Sequence, residues 1–163
     1  MKNFEKVIES KTKIRFSDCD PFNHLNNSKY IDYFMNARED QLFSYYDFDL
    51  YKLAAEKDIS WVVVQNQIAY LQPALLMETV VIQTQLLSYG NKNISFEAVM
   101  WNQDKTIIKS ILWSGLIHYN LKTQRSEIHT EELMDLFKKI ENPLEQVTTF
   151  EARVISLKEN NKR

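Results

Sequence analysis

Two aspartates, a histidine and three asparagines crowd the stretch RFSDCDPFNHLNN, at Asp18, Asp20, Asn23, His24, Asn26 and Asn27. Several chemistries use such residues. Asp18, Asp20, His24 and Asp32 offer oxygen and nitrogen donors to a metal ion, yet an EF-hand loop begun at Asp18 lacks its glycine and has Lys29 where the closing glutamate belongs. Asp-x-Asp after an apolar run also suits an aspartyl-phosphate phosphatase, which needs alternating strands and helices behind it. A serine hydrolase needs Gly-x-Ser-x-Gly, and this chain has two glycines and no such elbow. Cys19 and His24 could pair as nucleophile and base, against the plainer role of a small buried cysteine. A fourth arrangement sets a carboxylate before the N-terminus of a helix. Its free N–H groups and positive end favour an oxygen that gains charge during acyl transfer, while the carboxylate attacks a carbonyl or activates a water. The bland alternative is structural, because Asp and Asn ahead of a helix make Asx-turns and caps.

The flanking pattern says what must hold these residues. SKTKIRF, Ser10 to Phe16, reads as a strand, and polar loop residues with Pro21 follow it. A helix is predicted from Asn26 or Asn27, with Tyr30, Ile31, Phe34, Ala37, Arg38, Leu42 and Tyr45 at three- and four-residue spacing. DFDLYKLAAEK predicts a shorter helix. From Ile59 the period becomes two: ISWVVVQNQIAYL, then ETVVIQTQLLSY with Val80, Ile82, Thr84 and Leu86 on one face, then ISFEAVMW with Ile94, Phe96, Ala98 and Met100 together. TIIKSILWSGLIHYN is apolar on both faces, as a strand near a sheet centre or an interface must be. TEELMDLFKKI predicts a closing helix. Tight turns at GNKN and NQDK imply an antiparallel meander, and a long helix with an aromatic face can pack across it. The expected class is α+β, an antiparallel sheet wrapped around one long central helix.

Composition narrows the functions. With 163 residues, 44% of them hydrophobic, the chain reads as one domain, residues 1–163, with a core over about 10–140 and a C-terminal tail over about 141–163 whose end, LKENNKR, is expected to fray. A net charge of −2 without basic stretches argues against a nucleic-acid partner. One cysteine fits a reducing compartment, and neither a signal segment nor an apolar span is evident, so the expectation is a cytoplasmic protein without a membrane partner.

FSDCDPFNHLNNSKYIDYF resembles the Asp-x-Asp-x-x-Gly-His-Val-Asn-Asn-x-x-Tyr segment of hot-dog-fold thioesterases, in particular the 4-hydroxybenzoyl-CoA and acyl-CoA thioesterase family. YLQPALLMETVVIQTQLL is similar to that family's Arg-Pro-x-x-x-Gly-Asp segment, and the likeness runs from about Thr12 to Leu136. The resemblance implies hydrolysis of a fatty or aromatic acyl-CoA to acid and CoA, without metal or cofactor. By position it makes Asp20 the catalytic carboxylate, as nucleophile or general base, and gives the backbone N–H of Asn27 the thioester carbonyl. It makes His24 and Asn26 supports of the loop or the substrate. Tyr30 falls on the motif tyrosine, with a core role as the plainer reading, and Phe34 bears on pocket depth. Lys92, Lys122 and Arg125 are cations open to CoA phosphates or simply solvated. The family's habit of pairing sheets edge to edge implies a homodimer or homotetramer. HLNNSKYI is also similar to plant acyl-ACP thioesterases, but Phe22 stands where those enzymes carry asparagine. A hot-dog module that binds acyl thioesters without turnover is the non-enzymatic alternative. Asn23 replaces the motif glycine, and Met77-Glu78 replaces the later Gly-Asp.

Overall fold

The computed structural model describes residues 4–146 and 148–161. In chain order the elements are β1 (Val7–Lys13), α1 (Tyr30–Tyr46), α2 (Leu50–Lys57), β2 (Ile59–Tyr70), β3 (Thr79–Tyr89), β4 (Asn93–Asn102), β5 (Ile108–Asn120), β6 (Arg125–Ser126), α3 (Glu131–Ile140) and α4 (Phe150–Asn161). The sheet runs β1-β3-β4-β5-β2, antiparallel throughout, with β6 added beside the end of β5.

α1 packs across the concave face of this sheet. Tyr30, Phe34 and Ala37 meet Val80 and Ile82 of β3, Phe96, Ala98 and Met100 of β4 and Leu112 of β5 in one buried cluster. The period-two faces expected of β3 and β4 are therefore the faces that enclose the helix. A second cluster under α3 joins Ile8, Tyr46 and Leu86 to Leu133, Phe137 and Ile140. The helix predicted at TEELMDLFKKI forms, and Thr130 caps it by accepting the Leu133 N–H.

The first strand starts and ends three residues before the predicted Ser10–Phe16. Pairing with β3 runs from Val7↔Gln85 to Lys13↔Thr79, so the chain leaves the sheet where β3 begins, and Phe16 is exposed. The polar tail is helical too. Of LKENNKR, expected as a frayed end, Leu157–Asn161 form the last part of α4, while Lys162 and Arg163 lie outside the described residues. Phe150, Val154 and Leu157 recur at i, i+4 and i+7 and cover Val99, Ile108, Ile111, Trp101 and Trp113 on the convex side. β5 is thus apolar on both faces because α1 covers one and α4 the other.

Glu97 clamps α4 down. It is 2% exposed and accepts Arg153 Nε and Nη2, both at 2.8 Å, together with Trp113 Nε1 at 2.8 Å and Gln85 Nε2 at 2.9 Å. Burial alone would raise this carboxyl; the hydrogen bonds from Arg153, Trp113 and Gln85 outweigh it and hold the pKa below the ordinary carboxylate value of 4.5. A group depressed on folding stabilises the protein above its unfolded pKa and loses that contribution as pH falls through the folded one. Stability should therefore decline in acid below about pH 4.5. Arg153→Met should cost about 3 kcal/mol in urea unfolding at neutral pH, the scale of leaving a buried charge without its partner. Adding Glu97→Gln should recover most of that loss.

Candidate active site

The polar stretch forms a closed loop between β1 and the start of α1. Asp20 N–H donates to His24 O at 2.8 Å, Asn23 N–H to Asp20 O at 3.1 Å, and Asn26 N–H to Asp18 O at 2.9 Å. Asn23 turns the chain with a φ of 60°, the left-handed conformation that the motif glycine would supply and asparagine tolerates. The loop rests against residues 72–78. Leu25 N–H donates to Ala74 O and Leu76 N–H to Asn23 O, and His24 bridges Leu75.

Residues 72–78 are themselves anchored from below. Lys109, 6% exposed, reaches Glu78 at 2.9 Å and donates to Pro73 O at 3.0 Å, while Glu78 Oε2 accepts the Leu75 N–H. Met77 takes the place of the second motif glycine at a φ of 65°. A methionine there is strained, since its Cβ crowds the backbone in this conformation. Met77→Gly should stabilise the protein by about 1 kcal/mol, read as a higher urea midpoint, because the relieved strain exceeds the added chain entropy.

Asp20 is half-buried, and its two oxygens have different surroundings. Oδ1 accepts the N–H groups of Phe22 at 2.9 Å and His24 at 3.1 Å, an Asx-turn that fixes the carboxylate plane. Oδ2 has no protein partner among the described residues. At the helix start, Asn26 acts as the cap and accepts Ser28 N–H and Oγ–H at 3.0 and 2.9 Å. The chain then makes one 3₁₀ turn, Asn27–Lys29, before α1. Ser28 and Lys29 N–H groups are bonded to Asn26, whereas Asn27 N–H has no acceptor among the described residues. Asn27 O accepts the Tyr70 hydroxyl at 3.1 Å. The loop therefore presents a fixed carboxylate and, across its closing turn, a free donor at a helix N-terminus.

The remaining candidates are placed as follows. Asp18 accepts the Tyr33 hydroxyl at 2.7 Å, and that hydroxyl in turn accepts the Arg15 N–H, so Asp18 is tied into the turn. Cys19 Sγ faces Arg15 O at 3.3 Å; burial, with Asp20 and Asp18 nearby, pushes its thiol pKa up, away from nucleophilic thiolate. The His24 ring lies beside Phe22, with centroids 6.4 Å apart. Tyr30 and Phe34 sit inside the core, and Tyr30 spends its hydroxyl accepting the Ala74 N–H at 3.1 Å. Two contributors were not singled out from sequence. Tyr70 packs edge-on to Tyr30, with centroids 5.1 Å apart, and holds Asn27. Lys109 holds the supporting loop. Tyr70 stands at the end of the β2 alternation and Lys109 is a lone cation in an apolar strand, the only sequence signals either offers.

A cavity of about 480 Å³ opens farther along α1, between α1, α2, α3 and the sheet, lined by Met35, Arg38, Leu42, Trp61, Phe96 and Phe137 among others.

The sequence profile of the thioesterase-like superfamily matches residues 14–154. The chain belongs to that superfamily. Membership accounts for the hot-dog arrangement seen here and bears out the resemblance carried by the Asp20 loop. The chain is 25% identical over 119 residues, 73% of its length and 88% of the relative's, to the long-chain acyl-CoA thioesterase FadM of Escherichia coli. Its fold is similar to that of a Staphylococcus aureus protein solved in complex with CoA, with a TM-score of 0.77, 14% identity and coverage of 89% and 90% of the two chains. It is also similar to a 1,4-dihydroxy-2-naphthoyl-CoA thioesterase of Synechocystis, with a TM-score of 0.73, 9% identity and coverage of 84% and 99%. Among the described residues no helix is long and apolar enough to cross a membrane.

Proposed function

We propose that the chain is a cytoplasmic acyl-CoA thioesterase that hydrolyses a fatty or aromatic acyl-CoA to the free acid and CoA. The observation that carries this reading is the Asp20 carboxylate, anchored through Oδ1 and open at Oδ2, in the same loop as the unbonded Asn27 N–H. The thioester oxygen takes the Asn27 N–H. Asp20 Oδ2 then attacks the carbonyl carbon or draws a proton from an attacking water. As the tetrahedral intermediate forms, charge moves onto the oxygen that faces the helix N-terminus, where it is stabilised most. Collapse breaks the C–S bond and expels CoA thiolate; on the water route this gives the acid at once, and on the direct route a water then hydrolyses the acyl–Asp20 anhydride to the acid and the free carboxylate. His24 and Asn26 keep the loop in register, and Tyr70 fixes the turn that carries Asn27. Rapid quench and mass spectrometry separate the two routes, since only direct attack acylates Asp20.

The active unit in this proposal is a homodimer joined along β2, which with β1 is one of the two edge strands of the sheet. Val62, Val63 and Val64 are exposed there around a bulge, an apolar edge that a second chain can pair with. A two-fold, antiparallel pairing sets the Ser60 end of one β2 beside the Tyr70 end of the other. The cavity bordered by Ser60 and Val63 then opens toward the partner's Asp20 loop. The relatives named for acyl-CoA hydrolysis and the relative solved with CoA support the substrate class.

The test is release of free thiol from acyl-CoAs of graded length, aryl and hydroxylated ones included, with matched acyl-ACP substrates alongside. Hydrolysis of acyl-CoA, unaffected by chelators, is the expected result. Binding of acyl-CoA without thiol release across the whole panel would instead mark a non-catalytic module.

A further inference from the structure

Arg38 is out of place in the cavity it lines. The residue is 8% exposed on the inner face of α1, surrounded by Met35, Leu42, Trp61 and Phe96. Its guanidinium lies over the Phe96 ring, 5.3 Å from the centroid, and Nη1 donates to Thr84 Oγ1 at 3.0 Å. Thr84 in turn donates to Gln41 Oε1, and Gln41 Nε2 donates to Ser10 Oγ and Ile82 O, so the Arg38–Thr84 contact is held by a network that reaches two strands. No carboxylate lies within ion-pairing distance of Arg38 among the described residues. Glu39, its neighbour, also lines the cavity but accepts the Tyr51 hydroxyl at 2.7 Å and makes no ion pair with Arg38. Nε and Nη2 have no protein partner among the described residues and neither is a fully enclosed atom, and the residue lines the cavity. Burial lowers the guanidinium pKa to about 10, which leaves it charged at neutral pH.

A buried cation without a counter-ion destabilises a fold, so its retention in an apolar cavity points to a ligand that completes it. The cavity volume of about 480 Å³ suits a small molecule, and its walls suit an alkyl or aryl chain. We propose that this cavity receives an acyl chain ending in a carboxylate, and that Arg38 selects for that anionic end. This rests on the acyl-CoA thioesterase reading for the identity of the chain, but Arg38 itself acts only as the receptor for the far terminus. The fork of Nε and Nη2 matches the two oxygens of a carboxylate. The α1 wall of the cavity, from Met35 past Arg38 to Leu42, runs about 10 Å, which leaves a medium-length alkyl chain such as that of octanoate room to lie beside Arg38.

Two measurements test it on the full-length protein. Calorimetric titration compares octanoate with octanol. Wild type should bind octanoate at least about tenfold more tightly; Arg38→Met should lose that preference while still binding octanol, and Arg38→Lys should keep part of it. Equal affinity for both ligands in wild type, no binding of either, or an unchanged preference in Arg38→Met overturns the proposal. In turnover, wild type should favour the CoA thioester of octanedioic acid over octanoyl-CoA, and Arg38→Met should reverse the order. An order that Arg38→Met leaves unchanged also overturns the proposal. Should no acyl-CoA be hydrolysed while the octanoate preference and its loss in Arg38→Met persist, the thioesterase reading falls and the anion site at Arg38 stands.

Discussion

Asp20→Asn should lower kcat/KM for acyl-CoA hydrolysis by at least about a hundredfold, the usual loss when a positioned acid–base group is removed. The substitution is close to isosteric, and it can leave the loop intact. Asn Oδ1 can still accept the Phe22 and His24 N–H groups that now bind Asp20 Oδ1. What disappears is the charge on the second oxygen, which is the atom proposed to act on the thioester. Unfolding by urea and the far-ultraviolet spectrum should therefore match wild type while thiol release collapses. Substrate affinity should change little, because the carboxylate acts in the transition state rather than in binding. A variant that keeps near-normal turnover would remove Asp20 from the chemistry, whatever the loop looks like.

Asn27→Pro should lower kcat by about a hundred- to a thousandfold, the range seen when one donor to an oxyanion is lost. Proline removes the backbone N–H and nothing else that the fold needs. Residue 27 opens the first helical turn, where proline's missing donor and fixed φ are tolerated. Asn26, with a φ of −61° and a ψ of 134°, already has the extended conformation that a following proline requires. The Asn27 carbonyl, which accepts the Tyr70 hydroxyl, survives the change. Asn27→Ala is the control: it keeps the N–H and should stay within a few-fold of wild type, since the Asn27 side chain is exposed and makes no hydrogen bond among the described residues. Equal loss in both variants would assign the effect to the side chain and contradict the backbone role.

Most of the wrap was legible in the chain because the sheet faces obey a strict period. Val80, Ile82 and Thr84, like Phe96, Ala98 and Met100, share one face of their strand at a period of two, and the helix that buries that face carries its own spacing at Tyr30, Phe34 and Ala37. The failures have physical causes as well. β1 lies three residues before SKTKIRF because that segment alternates weakly and the strand's limits come from where β3 starts, which is a tertiary fact. α4 is not legible in the chain because three apolar residues on an otherwise polar end look like a solvated tail until Glu97 and the convex face are known.

The site was readable in a different way. The order of Asp20, His24, Asn26 and Asn27 was visible, and so were Asn23 and Met77 where glycines were expected, but neither their left-handed backbone nor the division of Asp20 into one anchored and one open oxygen can be read from letters. The spacing puts Arg38 on the helix face that packs inward, yet only the structure reveals a buried cation without an ion-pair partner among the described residues.

The central claim is that the Asp20 carboxylate and the Asn27 N–H act on one thioester. It is tested most directly by kcat/KM for wild type, Asp20→Asn, Asn27→Pro and the double variant, all on a single acyl-CoA. Groups that serve the same transition state are strongly non-additive, so the double variant should be no more than about tenfold worse than the worse single one. Losses that multiply, or near-wild-type activity in either single variant, would contradict the account.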